Sequence, residues 1–415
     1  MSAAASIEVK GWCPGALRPM LSGDGLIVRI RPFCGAFNLE QARGLADLAR
    51  RLGNGHIDLT RRANLQLRGL LDEHMPELHS ELGKLDLIDP DAETEATRNL
   101  MVAPLAGLDP AEKLDVRPIA RAIAEGLAGD ERLRALPGKF GVLVDGGGTV
   151  SIAAERADIA LLAVDGGIAL GLDTPAGTHW LGCASPDAAA PVALAAAHAF
   201  VEAAGPATRL RMRGLAADGV EHVASVLSPM LRPCDVVVPT TGCKLGLFGA
   251  AVGVAVPFGR VEAEQLQHLA SLAEESGATE LRPSPWRTVY FGTRDAAAGR
   301  QAVEAARLAG LIVDPTDPLL GIEACPGAPD CKSSSVDARG DARRLAVLAA
   351  THGYVGSIHV SGCAKGCARS APSKLVLVGK AGRYRLVRNA TTRGPVERLI
   401  GTDEFPALFA ESGDV

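Results

Sequence analysis

Leu26 to Gly69 reads LIVRIRPFCGAFNLEQARGLADLARRLGNGHIDLTRRANLQLRG, and Val252 to Gly292 reads VGVAVPFGRVEAEQLQHLASLAEESGATELRPSPWRTVYFG. Each opens with an apolar run of strand character. Each continues with leucines three or four apart, the mark of a buried helix face, and returns to a strand. Gln41, Leu45, Ala46, Leu48, Ala49 and Gly53 recur as Gln265, Leu269, Ala270, Leu272, Ala273 and Gly277, at a constant offset of 224. Any two amphipathic helices share some leucines, but the shared order of apolar strand, turn and glycine-terminated helix goes further and predicts an internal duplication. Gly53 and Gly277 fall where a helix C-cap calls for positive φ.

Outward from these units, each is followed by a longer stretch of mixed helix and strand. The stretch after the first, from Arg98 to about Met230, contains FGVLVDGGGTVSIAA, which reads as a hairpin turning on Gly146, Gly147 and Gly148. No segment supplies a G-x-G-x-x-G strand-to-helix turn or a P-loop, so no dedicated nucleotide domain is expected. The expected organisation is therefore a first half-repeat at 22–85, a first lobe at 90–232, a second half-repeat at 247–310 and a second lobe at 314–415. The junction between halves falls near Pro233 to Gly246.

Composition agrees with a folded chain of this size. The 415 residues are enough for two to three domains with cores of their own. With 47 glycines, 26 prolines and 47% hydrophobic residues, whole-chain disorder is excluded. Forty-three basic against 48 acidic residues give a net charge of -5, so no global field attracts nucleic acid or an anionic membrane, and any anion site must be local. The first ten residues lack the basic and apolar regions of a signal peptide, which points to the cytoplasm. The apolar tract Ala188 to Ala207 is alanine-rich and carries His198 and Glu202, as in a packed soluble helix rather than a bilayer span. Nine cysteines, an odd number on a chain with intracellular features, argue against a disulfide framework and for metal or redox chemistry.

Four of the cysteines stand in two close pairs. Cys325 and Cys331 form Cys-x5-Cys in GIEACPGAPDCKSS, and Cys363 and Cys367 form Cys-x3-Cys in IHVSGCAKGCARS. Four thiolates from two loops suit an iron–sulfur cluster. Structural zinc prefers tighter pairs, so it is the weaker alternative, with unliganded thiols behind it. Ile358-His359-Val360 reads as a strand ending at Ser361-Gly362. The second pair is then expected on a loop opening a helix, whose N–H groups would face thiolates and sulfides.

These motifs, with the paired halves and LTRRANLQLRG, resemble the sirohaem nitrite and sulfite reductase superfamily. Within it, GWCPGALRPM at Gly11 to Met20, TRNLMVAPLAG at Thr97 to Gly107 and SGCAKGCARSAP at Ser361 to Pro372 resemble the precorrin-3B synthase family of aerobic cobalamin biosynthesis. The likeness runs from Gly11 to about Gly379. It implies an α+β, nitrite/sulfite reductase-like fold in which two pseudo-symmetric halves pair their repeated units into a ferredoxin-like module. By motif, the basic residues that hold tetrapyrrole carboxylates fall on Arg62, Arg98 and Lys139, with Arg61 and Arg68 as further candidates. Arginine forks match carboxylates bidentately, so such a site can exist on an acidic chain.

Two departures separate this chain from the reductases. Lys139-Phe140-Gly141 stands where they commonly have Lys-x-Lys, and Ala364-Lys365 where they have Pro-Asn. A missing lysine weakens the case for reducing a small oxyanion, which needs dense positive charge and proton donors. The resemblance therefore implies that the tetrapyrrole is substrate, precorrin-3A, hydroxylated with dioxygen at the meso carbon between rings A and D and closed to a γ-lactone. It further implies a 4Fe-4S cluster, a mononuclear non-haem iron, and reducing equivalents from NADH or an electron-donor protein. A sirohaem-bound reductase is one alternative, and a non-catalytic electron-transfer or tetrapyrrole-binding module another. No facial triad stands out among the nine histidines; His56, His179 and His359 are candidates, each more often structural. Cys13 and Cys34 lie in N-terminal loops, and Cys234 and Cys243 flank the junction with a spacing too wide to diagnose a second metal site.

Overall fold

The structure is a computed structural model that describes residues 14–205, 209–240, 242 and 244–410. Cys13 and Cys243 lie outside the described residues. Two compact units are present. The larger holds the described residues up to 20 and Ile27–Val313, and the smaller holds Leu21–Leu26 and the described residues from 314.

The chain begins with β1 (Met20–Ser22), β2 (Gly25–Ile30) and β3 (Phe37–Asn38), then α1 (Leu39–Leu52), β4 (His56–Leu59) and β5 (Leu65–Leu70). Helix α1 starts where it does because Asn38 accepts the Gln41 backbone N–H at 2.8 Å while the Gln41 side chain accepts that of Asn38 at 3.0 Å. Short helices α2 (Met75–Lys84) and α3 (Ala92–Thr97) lead to the first lobe. That lobe contains β6 (Leu100–Val102), α4 (Arg117–Gly129), β7 (Val142–Asp145), β8 (Ile159–Val164), β9 (Gly167–Thr174), β10 (Gly177–Ala184), α5 (Pro186–Ala204) and α6 (Ala217–Leu227).

The second repeat runs β11 (Gly246–Phe248), β12 (Ala251–Ala255), β13 (Arg260–Glu262), α7 (Ala263–Glu275), β14 (Glu280–Pro283) and β15 (Thr288–Gly292). It reproduces the first down to its cap: Gln265 closes a capping box on Glu262. Helix α8 (Ala296–Leu308) follows. The second lobe holds β16 (Ile322–Ala324), α9 (Ala338–Thr351), β17 (Ile358–Ser361), β18 (Ser373–Lys380), β19 (Arg383–Ala390), β20 (Arg398–Ile400) and α10 (Ala407–Ala410).

The duplication expected from sequence is present, in an exchanged form. One sheet has the order β1-β2-β5-β4-β13 and the other β11-β12-β15-β14-β3. Each repeat thus donates its short strand to the other's sheet, β13 pairing antiparallel with β4 and β3 with β14. Leu45, Ala49, Leu269, Ala270 and Ala273 on α1 and α7 are fully buried, and each buried leucine contributes about 1.5–3 kcal/mol. The lobes repeat too. In β10-β9-β8-β7-β6 and in β16-β17-β18-β19-β20, the first three strands in chain order run parallel and each of the next two pairs antiparallel with the strand before it.

Two local expectations are corrected. The Gly146–Gly148 stretch is no hairpin, because β7 pairs parallel with β8 and the chain must cross over between them. The crossover is organised by buried Asp145, whose carboxylate accepts from Gly147 N (2.7 Å), Ile152 N (2.5 Å) and Ser151 Oγ (2.8 Å). Gly277 has the left-handed φ of 94°, but Gly53 has φ -110°. A Cβ at Gly53 would come within 2.5 Å of the Arg68 carbonyl, so close approach of β5, rather than positive φ, requires glycine there.

Candidate functional site

In the larger unit, a cleft of about 130 Å³ opens beside the β4–β5 turn, the start of β6 and the segment leading into β7. Arg29, Arg62, Lys139 and Arg211 line it with Asn64 and Asn99, and no carboxylate does. Each arginine is aimed by a neighbour. The Gln66 side chain on β5 accepts from Arg29 Nε (3.1 Å) and Nη2 (2.8 Å). Arg62 donates through Nη1 to the Arg156 carbonyl at 2.7 Å. Asp158, wholly buried, accepts from Arg211 Nε at 2.7 Å, from Gly141 N at 2.8 Å and from Met212 N at 2.9 Å. One aspartate therefore fixes two walls of the cleft. Lys139 is exposed at its mouth. A volume of a few water molecules takes carboxylate substituents, not a whole macrocycle.

Of the residues expected to hold carboxylates, Arg62 and Lys139 line this one cleft and Arg98 does not. That guanidinium is 4% exposed and fully engaged: Nε and Nη2 donate to the two oxygens of Asp89 at 3.0 and 2.8 Å, and Nη1 to the carbonyls of Arg31 and Pro32. It also lies 3.8 Å over the Phe33 ring. With every face engaged, Arg98 braces the fold. Arg68 is likewise buried, pairing at 3.2 Å with Asp58, which also holds Arg260 at 2.8 Å. Arg61 is exposed and does not line the cleft. Motif reading missed Arg29, Arg211 and the positioning Asp158. A signal was available in Arg29, a charge inside the otherwise apolar strand β2.

The turn after β4 and its counterpart after β14 share one bonding pattern. Thr60 N donates to Asn64 O and Ser284 N to Thr288 O, and both turns place a non-glycine at positive φ, Ala63 at 55° and Arg287 at 63°. At the 224 offset, Arg62 corresponds to Trp286. Trp286 Nε1 donates to Glu155 at 3.0 Å, beside the Arg156 carbonyl that Arg62 holds, and the half-buried Lys244 amine, its pKa lowered by burial, sits 4.5 Å over the indole.

In the smaller unit, Cys325 follows β16, Cys331 lies in the next turn, and Cys363 and Cys367 follow β17. The loop after β17 leads into strand β18, so the expected helix is absent. Its contribution is a single donor: Gly362 N donates to Cys325 Sγ at 3.0 Å. A Cβ on Gly362 would come within 2.3 Å of Ser334 Oγ and 3.5 Å of Cys325 Sγ. Ser361 Oγ and Thr392 Oγ1 hold the loop through the carbonyls of Cys363 (2.7 Å) and Ala364 (3.0 Å). Burial pushes the Cys325 thiol up, with Cys331 and Cys363 acting the same way. Cys367, open to solvent on one side and crowded on the other, is pushed up to about 11 by that crowding and then by the other three cysteines.

The raised thiols of Cys325 and Cys367 become thiolates when positive metal arrives. Among the described residues no three His, Cys, Asp or Glu side chains are gathered tightly enough for a single metal ion. Four thiols from two loops are the donor set of an iron–sulfur cluster, and no ligand set for the expected mononuclear iron is identified among the described residues. His56 instead pairs with Glu262 at 2.8 Å, His179 is exposed on β10, and His359 is buried in β17. Cys234 is bonded to Cys183, so it does not join Cys243 in a metal site, and the absence of disulfides expected from the odd cysteine count does not hold.

Comparison with known proteins agrees with this architecture. Residues 18–85 match the nitrite/sulfite reductase ferredoxin-like half domain and 93–281 the nitrite and sulphite reductase 4Fe-4S domain. The second match supports an iron–sulfur cluster, although it covers the first lobe and the four cysteines lie in the second. A precorrin-3B synthase of Sinorhizobium sp is 35% identical over 93% of this chain and 84% of its own length. Sulfite reductase [ferredoxin] 2 of Mycolicibacterium paratuberculosis is 26% identical over 85% of this chain and 70% of its own. The structure of Mycobacterium tuberculosis NirA protein shares the fold, with a TM-score of 0.73 over 92% of this chain and 79% of that one at 20% identity. Fold and paired lobes thus define a nitrite/sulfite reductase-type oxidoreductase. Within that superfamily, the chain belongs to the precorrin-3B synthase family.

Proposed function

We propose that this chain converts precorrin-3A to precorrin-3B in aerobic cobalamin biosynthesis. The observation that carries this reading is a cleft of four cations without a lining carboxylate, on a chain alike over nearly its full length to a precorrin-3B synthase. A macrocycle rich in acetates and propionates is the polyanion such a cleft recognises. Arg62 brings a guanidinium to the wall and Lys139 a point charge at the mouth, while Arg211, its Nε and Nη2 already paired with Asp158, is held with the Gly141 backbone as part of the frame. Holding the carboxylates fixes which meso carbon is presented and leaves the ring A acetate positioned for lactone closure.

The overall hydroxylation consumes one dioxygen, two electrons and two protons, converting C–H to C–OH and releasing water. Cys325, Cys331, Cys363 and Cys367 would hold the 4Fe-4S cluster, which supplies single electrons when bound. The electrons originate from NADH or an electron-donor protein. No helix of the described residues is long and apolar enough to cross a membrane, and a reductant-fed thiolate cluster fits the cytoplasm.

The test is anaerobic purification with iron, sulfide and tetrapyrrole quantified on one sample, followed by assay with precorrin-3A and isotopically labelled dioxygen. Cluster without sirohaem, and labelled oxygen in the product, are expected. Stoichiometric sirohaem would return the reductase reading to first place, and substrate binding without dioxygen uptake would indicate a binding module.

A further inference from the structure

After α6 the chain runs from Leu231 to Lys244 without helix or strand in its described residues. It is fastened to β10 at one place. Cys183 N donates to Arg232 O at 2.8 Å and Arg232 N to Cys183 O at 2.9 Å. The approach is so close that a Cβ on Gly182, at φ 150°, would meet the Arg232 carbonyl at 2.7 Å. Two residues on, Cys234 Sγ is bonded to Cys183 Sγ. Beyond that bond, residues 235–240 make no backbone hydrogen bond to described residues, and Val237 is 82% exposed. The described residues between the bond and Lys244 are held to the lobe by the packing of Val236 against the same cluster as Cys183, and the Lys244 carbonyl then accepts from Tyr290 at 2.8 Å.

The two sulfurs differ in access. Cys183 is 2% exposed and packed among Leu162, Val164 and Ala169, whereas Cys234 is half-buried at the edge of that cluster. The 51-residue span between them contains α5 and α6, whose Val192, Phe200, Val223 and Leu227 are fully buried in the lobe core. The lobe thus holds together without the bond. In a thiol-reducing compartment, a disulfide that the fold does not need is transient, catalytic or redox-sensing.

We propose that Cys183–Cys234 is a site of thiol–disulfide exchange with a dithiol reductant, and that its reduction frees the segment 235–240. A reductant thiolate attacks the accessible Cys234 sulfur, the S–S bond breaks, and Cys183 leaves as thiolate and takes a proton from solvent. The reductant's second thiolate then attacks the mixed disulfide and releases Cys234, so two electrons reach the protein and the reductant becomes a disulfide. Dioxygen reverses the change as the two-electron acceptor, the two thiols giving up two electrons and two protons to form hydrogen peroxide.

The experiment uses holoenzyme whose cluster is followed by its visible spectrum. Samples with and without dithiothreitol are alkylated with iodoacetamide for mass spectrometry of the Cys183 and Cys234 peptides, and limited subtilisin digestion runs in parallel. We expect alkylation of both cysteines only after dithiothreitol, with the cluster spectrum unchanged, and a rise of roughly tenfold in cleavage within 235–240, reversed by air. Cys234→Ser should show the faster cleavage without reductant. Alkylation of air-exposed protein before reduction, resistance to dithiothreitol with the cluster intact, or cleavage unchanged by reduction would each overturn the proposal.

Discussion

At the scale of single residues, Arg62 and Arg98 stand in opposite surroundings, one lining a cleft and the other buried against Asp89. Motif logic treats them alike, because a motif records residue type and spacing but not the partner the fold supplies. Asp89 lies nine residues before Arg98 and consumes its fork, while Arg62 lines the cleft and donates through Nη1 to the carbonyl of Arg156. Arg62→Ala should weaken precorrin-3A binding about 10- to 100-fold, the loss of one charge-assisted contact worth about 1.5–3 kcal/mol, with the melting temperature little changed. Arg98→Ala should instead strand a buried carboxylate, cost about 3–5 kcal/mol and lower the melting temperature. Equal affinity losses in titration would undo this division of labour. Glu112 gives a pH signature. Burial raises its carboxyl from 4.5 to about 7, Oε2 accepts from Gly107 N at 2.6 Å, and Oε1 is buried without a partner. Because the folded state resists ionisation, stability is retained below pH 4.5 and lost as pH rises towards 7. Glu112→Gln should remove that decline, stabilising the protein at pH 8 and hardly at pH 4, as read by thermal melts.

At the scale of elements, what could be read in advance was local. Helices α1 and α7 and strand β17 followed from patterns spanning a few residues, whereas the expected positive φ held at Gly277 and not at Gly53. The exchange of β3 and β13 between sheets was hidden, because those strands are two and three residues long and their pairing depends on partners some 200 residues away. The β7–β8 crossover was misread for a related reason: three glycines announce a turn but not the direction of the next strand, which parallel pairing decides. The equivalent crossover in the second lobe, between β17 and β18, carries Cys363 and Cys367. Gly362→Ala should lower cluster occupancy, since the new methyl would press on Ser334 and Cys325. Iron and sulfide per protein are the measurement, and full occupancy in the variant would show that the loop has slack.

Across the whole molecule, charge is divided unevenly. Residues 314–410 carry 13 Lys and Arg against 9 Asp and Glu, on a chain with 43 against 48. Lys365 stands between two of the cradle cysteines. If an acidic protein delivers the electrons, turnover with that donor should fall steeply as salt rises from low to physiological strength, whereas turnover with a small neutral reductant should not. A flat response with the protein donor would place its docking elsewhere.

The paired turns after β4 and β14 have one more consequence. Copies of a single ancestral turn now present a cation at Arg62 and an indole at Trp286, and they grip neighbouring residues of one crossover, Arg156 and Glu155. Descent from a common unit has therefore not left interchangeable parts. A chimaera with either repeat duplicated in place of the other would keep its hydrophobic faces and caps yet lose one of the two hands on that loop. Divergence of the two copies, more than the duplication itself, made a symmetric scaffold into an asymmetric receptor.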